Sequence, residues 1–127
     1  MNAFFAEFFG TAIILVFGCG VVANVLLKQT KGNNSGWIVI TFGWAVGVFT
    51  GVLIAAPISG AHLNPAVTLA LAMAHKFSWS LVPLYMAAQL LGAMFGAFLV
   101  WLAYKKHFDL TDDGQAKLAV FATSPNI

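Results

Sequence analysis

The sequence predicts an all-α membrane protein with three transmembrane helices and one re-entrant half helix, and three observations carry that prediction. First, hydrophobic residues make up 61% of the 127 positions and charged residues only 8%, whereas a soluble domain usually carries about 25% charged residues. Second, the charges cluster. None lies between Glu7 and Lys28, between Lys31 and Lys76, or between Lys76 and Lys105, and each gap is long enough for the ~20 residues that cross a hydrocarbon core. Third, the stretch from Ile58 to His75 is too polar at its start for an ordinary span and too apolar at its end for a water-exposed loop. Such a pattern fits backbone that dips into a membrane and returns.

The first span covers about residues 3–27, interrupted by Glu7, Thr11 and Asn24. It is too long for the apolar core of a signal peptide and has no Lys or Arg ahead of it, so it reads as a retained span. A polar loop, Lys28 to Gly36, follows with Gly-Asn-Asn-Ser-Gly as turn chemistry. The second span covers residues 37–57 and is expected to stop at Pro57, a helix breaker. Its Gly43, Gly47 and Gly51 recur every fourth residue, leaving one bare face for close helix packing.

Residues 58–75 form the re-entrant part. Pro65 suits a first helical position and Asn64 suits its N-cap. A helix from Pro65 to His75 is roughly 16 Å long, about half a bilayer. The third span, about residues 81–104, has Gln89 as its one strongly polar interior residue, a Gly92-x-x-x-Gly96 pair, and Trp101 and Tyr104 beside Lys105 and Lys106 as an interfacial belt. Residues 107–127, with Asp109, Asp112 and Asp113, read as an extramembrane loop or tail.

Several function classes are disfavoured. The net charge of +2 comes from six lysines and no arginine, which offers no basic stripe for nucleic acid. Cys19 stands alone in an apolar run and reads as a small buried hydrophobe. No metal-ligand cluster, cofactor motif or nucleophile–base pair is visible, so the chain is not expected to be an enzyme.

Ser59-Gly60-Ala61-His62-Leu63-Asn64-Pro65-Ala66, lying after the second span and opening the half helix, resembles the first signature of the aquaporin and aquaglyceroporin family. Ala6-Glu7-Phe8-Phe9-Gly10-Thr11 in the first span and Ala88-Gln89 in the third match the family pattern as well. The resemblance covers essentially the whole chain and implies one of the two inverted repeats of the aquaporin fold, with residues 1–106 as the first repeat. By the same resemblance, Asn64, Pro65 and Ala66 line a pore, Gly60, Ala61 and His62 offer it backbone carbonyls, and Glu7 and Gln89 support the loop. Trp44 matches a position of the family's aromatic constriction, where glycerol facilitators carry Trp and water-selective members usually Phe. The tail Val120 to Asn126 is similar to an outer loop of glycerol facilitators.

The resemblance implies a passive channel for glycerol, other small polyols and water, in the plasma membrane as a multi-pass protein. Its partners would be the lipid bilayer and either a complementary second half or a homo-oligomer, since family members are tetramers. The family's second Asn-Pro-Ala half helix and filter arginine have no counterpart in these residues, so one copy alone is expected not to conduct. A non-conducting fragment or assembly partner, and a small multi-span secondary transporter using Glu7, stay open as alternatives. The family's topology puts Lys28, Lys31, Lys105 and Lys106 outside and Lys76 inside, against the positive-inside bias. The family topology is followed, and insertion in both senses stays open.

Overall fold

In the computed structural model, which describes residues 2–123, three long helices pack together and a short one rests mainly against the last of them. They are α1 (Ala3–Leu26), α2 (Trp37–Ser59), the half helix α3 (Pro65–Met73), α4 (Val82–Leu110) and a single-turn α5 (Gly114–Ala119), with a 3-10 turn, Trp79–Leu81, leading into α4. The spans α1, α2 and Trp79–Leu110 are each long and apolar enough to cross a membrane, and the protein is a membrane protein. No strand occurs among the described residues.

Helix α1 lies between α2 and α4, and glycines set how near each comes. Gly43 sits against Val21, Gly47 against Phe17 and Ile14, and Gly51 against Gly10 and Ile14. Numbers fall on one helix as they rise on the other, so α1 and α2 are antiparallel, as a short connection demands. A Cβ at Gly51 would come within 2.8 Å of Gly10 O, a distance that a side chain there could not tolerate. On the other flank Gly92 meets the backbone of Phe8, and Gly96 that of Ala12. Here the numbers rise together, so α4 runs parallel to α1. Lipid tails are as apolar as side chains, so close van der Waals packing replaces the hydrophobic drive between spans.

The buried core gathers Cys19, Val22, Ala23, Val25 and Leu27 of α1 and its cap with Ile40, Val100, Phe108 and Val120. The outward faces of α2 (Phe42, Phe49, Leu53) and α4 (Leu90, Met94, Phe98, Leu102) remain exposed. A membrane protein presents such faces to lipid or to a neighbouring helix. At the end of α1, Lys28 ties its turn to the end of α4. Its N–H donates to Thr111 Oγ1 at 3.0 Å, its Nζ pairs with Asp112 at 2.5 Å, and its carbonyl meets His107 Nδ1 at 3.0 Å. Lys105 lies over the Trp101 ring at 5.1 Å and 3.7 Å from Asp109.

Several boundaries differ from those read in the sequence. Helix α2 passes through Pro57 and continues to Ser59. Proline removes its own N–H and crowds the carbonyl four residues earlier, that of Leu53, yet the last turn closes around it: Ser59 Oγ lies 3.2 Å from Ala55 O, and Gly60 N–H donates to Ala56 O at 3.1 Å. Gly60, at φ 84°, then stops the helix. Helix α3 ends at Met73 rather than His75, because His75 at φ 57° takes the left-handed capping position. Its N–H donates to Ala72 O at 3.1 Å and that of Lys76 to Leu71 O at 2.9 Å, the paired bonds of a Schellman ending. Helix α4 runs six residues beyond Tyr104, to Leu110. Lys105 and Lys106 are exposed while Phe108 packs into the core, so burial holds the helix past its uninterrupted apolar run. Residues 107–110 therefore belong to α4, not to a tail, and Ser124, Pro125 and Asn126 of the outer-loop resemblance lie outside the described residues.

Candidate functional site

The chain between α2 and α3 is five residues long and unusual in its backbone. Gly60, Ala61 and Leu63 all have positive φ, at 84°, 52° and 52°. For Ala and Leu the left-handed region costs about 1–2 kcal/mol each, and such strain persists only where surrounding contacts enforce it.

Glu7 enforces it. The side chain is fully buried on α1, and both of its oxygens are engaged. Oε1 accepts from Ser59 Oγ at 2.5 Å and from His62 N–H at 3.0 Å, and Oε2 accepts from Leu63 N–H at 2.7 Å and from Gln89 Nε2 at 2.8 Å. A charged residue within a span is costly, reaching about 2.5–3.5 kcal/mol at the centre on insertion scales, and hydrogen bonds to a charged acceptor, roughly twice as strong as neutral ones, offset it.

The same bonds decide where the loop carbonyls face. In a trans peptide the C=O points opposite to the following N–H. The N–H groups of His62 and Leu63 turn toward Glu7, and that of Ala61 turns toward Ser59 Oγ at 3.1 Å. The carbonyls of Gly60, Ala61 and His62 must therefore turn the other way, and none of them accepts a hydrogen bond from a described residue. Three consecutive acceptors are thus presented on one side of an anchored loop.

Asn64 follows at the N-cap of α3. It is exposed, with Oδ1 accepting from Ala66 N–H at 2.8 Å. That bond orients the amide and leaves Nδ2 with no described acceptor. Pro65 and Ala66, also exposed, form the first turn, and the positive end of the α3 dipole lies beside the free amide.

A second set of contacts backs the loop. Thr68, one turn after Asn64 and fully buried, places Oγ1 3.0 Å from Gln89 Nε2, 3.1 Å from His62 Nδ1 and 3.2 Å from Asn64 O. Tyr85 donates to Ser59 O at 2.9 Å. The His62 ring packs against Phe77 and Tyr85, with centroids at 4.5 and 4.9 Å. Thr68 and Tyr85 were not singled out in the sequence, and Ser59 stood there only as the first residue of the signature, with no role of its own. Spacing could have found two of them, since Thr68 follows Asn64 by four residues and Tyr85 precedes Gln89 by four, each pair sharing a helix face.

Glu7, Gln89 and residues 60–66 are thus brought to one place, whereas Trp44 is not. Its half-buried ring lies over Gly18, about 16 Å along α1 from Glu7 at 1.5 Å per residue, toward the Lys28 end. Among the described residues no three His, Cys, Asp or Glu side chains gather as a metal site.

Residues 1–126 match the family profile described as Major intrinsic protein. The chain is 54% identical over 127 residues to a probable glycerol uptake facilitator protein of Thermotoga maritima, covering 100% of this chain and 54% of that protein. It is 50% identical over 127 residues to the glycerol uptake facilitator protein of Bacillus subtilis, covering 100% of this chain and 46% of the other. Among solved structures, the aquaglyceroporin from Plasmodium falciparum aligns with a TM-score of 0.78 at 38% identity, over 84% of this chain and 43% of that one. The chain spans about half the length of these relatives.

Proposed function

The chain belongs to the major intrinsic protein family, and from that premise we propose that it builds one half of the wall of a passive, non-enzymatic channel for glycerol, similar small uncharged solutes and water. The observation that carries this reading is the loop held by Glu7, which turns three carbonyls away from its anchor beside the free amide of Asn64. A hydroxyl group both donates and accepts. It can give its proton to the carbonyls of Gly60, Ala61 or His62 and accept from Asn64 Nδ2, so hydrogen bonds lost on leaving water are replaced. The dipole of α3 adds a positive potential at the same point, which disfavours cations. Trp44, at a different depth, supplies an apolar surface for the carbon face of a polyol at the constriction.

Helix α3 is about 14 Å long and reaches only part of the way across a bilayer. A second repeat, from further sequence or from another chain, completes the wall in this reading, as in folds whose inverted repeats enclose the path. The location proposed is the plasma membrane, with several crossings, and the assembly a homo-oligomer. The transporter alternative requires Glu7 to exchange a proton with the path. Its full burial and four donors support anchoring instead.

Liposomes carrying the chain together with a second-repeat polypeptide should take up glycerol without saturation and without a proton gradient, and the chain alone should not. Uptake that needs the gradient, and is lost in a well-folded Glu7→Gln protein, overturns the channel reading in favour of transport. No uptake from the paired halves leaves a non-conducting assembly partner as the function.

A further inference from the structure

Thr68 is the buried hydroxyl where the loop, α3 and α4 meet, and the direction of its hydrogen bonds says more than that it backs the loop. Its Oγ1 has three neighbours within hydrogen-bond range: Gln89 Nε2 at 3.0 Å, His62 Nδ1 at 3.1 Å and Asn64 O at 3.2 Å. A hydroxyl offers one proton and accepts twice. Gln89 Nε2 can only donate, and a carbonyl can only accept, so the imidazole is the one neighbour whose role is open.

Two arrangements are available. If Thr68 gives its proton to His62 Nδ1, its contact with Asn64 O sets two oxygen lone pairs against each other, and one acceptor site of a fully buried hydroxyl goes unused. If Thr68 gives its proton to Asn64 O, it accepts from both Gln89 Nε2 and a protonated His62 Nδ1, and all three contacts are bonds. The orientation of Gln89 is itself set, because its Nε2 also donates to Glu7 Oε2 at 2.8 Å. A flipped amide would face a carboxylate oxygen with its own oxygen.

We propose that Thr68 is a positioning residue of the loop: it accepts from Gln89 and from Nδ1–H of His62, donates to Asn64 O, and so fixes the tautomer and ring orientation of His62. In that tautomer Nε2 keeps its lone pair, and it has no described partner. The ring, wedged against Phe77 and Tyr85, then holds the His62 peptide, whose N–H is tied to Glu7 and whose carbonyl faces outward. Thr68 thereby acts on the presented carbonyls through His62. The tautomer assignment stands on geometry alone, while its consequence for permeation rests on the channel reading above.

The test is solid-state nitrogen NMR of His62 in the full chain in bilayers at neutral pH. The folded wild type should show Nδ1 protonated and Nε2 unprotonated. Thr68→Ser keeps the hydroxyl and should give the same signature, whereas Thr68→Val should lose it. In the paired-half liposome assay Thr68→Val should slow glycerol uptake about tenfold, the equivalent of one net hydrogen bond, with Thr68→Ser near wild type. A wild-type spectrum with protonated Nε2 and bare Nδ1 overturns the proposal without any variant, which covers the case in which Thr68→Val does not fold. A folded Thr68→Val protein with an unchanged signature overturns it too. If the signatures follow expectation while wild-type paired halves conduct no glycerol, the tautomer assignment stands and the channel reading fails.

Discussion

Both ends of α1 are tied to residues far along the chain, but in opposite surroundings. Near its start, Glu7 binds partners 52 to 82 positions away with no exposure to solvent. Just past its end, Lys28 binds Asp112, 84 positions away, and the two side chains are 54% and 88% exposed. Both ties involve a charge, and both have a contact of 2.5 Å. What differs is the cost of breaking them. Water replaces Lys28 and Asp112 as soon as they part, and exposed ion pairs contribute little. Nothing can replace Glu7, because its donors are buried and an unsatisfied buried group costs about 1–3 kcal/mol, more within a bilayer. Contacts of equal length are therefore far apart in energy, and burial decides which tie organises the fold.

The strongest way to break this contrast is Glu7→Ala. It orphans the N–H groups of His62 and Leu63 and the Gln89 amide together. At about 1–3 kcal/mol per group, folded yield should collapse, as read by monodispersity after extraction. Glu7→Gln should be milder. One oxygen is retained, and Ser59 can redirect its proton to Ala55 O, 3.2 Å away, so about one backbone donor is left unpaired. Equal yields for Ala, Gln and wild type would show that the loop holds itself.

Next in size are the glycines. A Cβ at Gly92 would run into the carbonyl of Phe8, one residue from Glu7, whereas at Gly20 it would meet nothing nearer than Val100 Cγ2 at 3.9 Å. Gly92→Ala should destabilise by about 1–3 kcal/mol, as overpacking does. Gly20→Ala should leave stability unchanged or raise it by up to about 1 kcal/mol. Thermal unfolding in detergent compares the two. Similar midpoints would mean that α1 and α4 are not in such close contact.

Trp44→Ala tests the intermediate region. The ring is half-buried over Gly18, so the loss should fall below the ~3–5 kcal/mol of a fully buried Trp. Its main effect should appear in the paired-half channel, where larger polyols enter more readily, with Trp44→Phe changing the cut-off less. An unaltered size cut-off in both variants would reduce Trp44 to packing.

The smallest effect belongs to the exposed tie. The hydrogen bond from Lys28, and then its charge, hold Asp112 below its ordinary carboxylate value. The sign follows: the pair is intact above the ordinary carboxylate range and is lost as pH falls through the lowered folded value. Asp112→Asn should leave the unfolding midpoint at neutral pH within error of wild type and abolish any acid-dependent loosening of this end. Hydrogen exchange at the Lys28 amide, which donates to Thr111 Oγ1, reports that loosening. A large destabilisation at neutral pH would erase the distinction between the two ends.

The sequence by itself determined the lipid environment, the three spans, the glycine faces and the half helix capped by Asn64, because each is a matter of local pattern: charge gaps, fourfold spacing, or a capping residue ahead of proline. It marked Glu7 and Gln89 as well, since a strongly polar group inside an apolar span must find partners. It could not say which donors Glu7 meets, because Ser59, His62 and Leu63 come near it only when α1, α2 and the loop are folded together. Boundaries near Pro57 and Tyr104 were decided in the same way, by capping bonds around Gly60 and by burial of Phe108. The outward turn of the carbonyls of Gly60, Ala61 and His62 appears in no residue's identity. It follows from three N–H groups being drawn to Glu7 and Ser59 on the other side, and only tertiary structure brings those acceptors within reach.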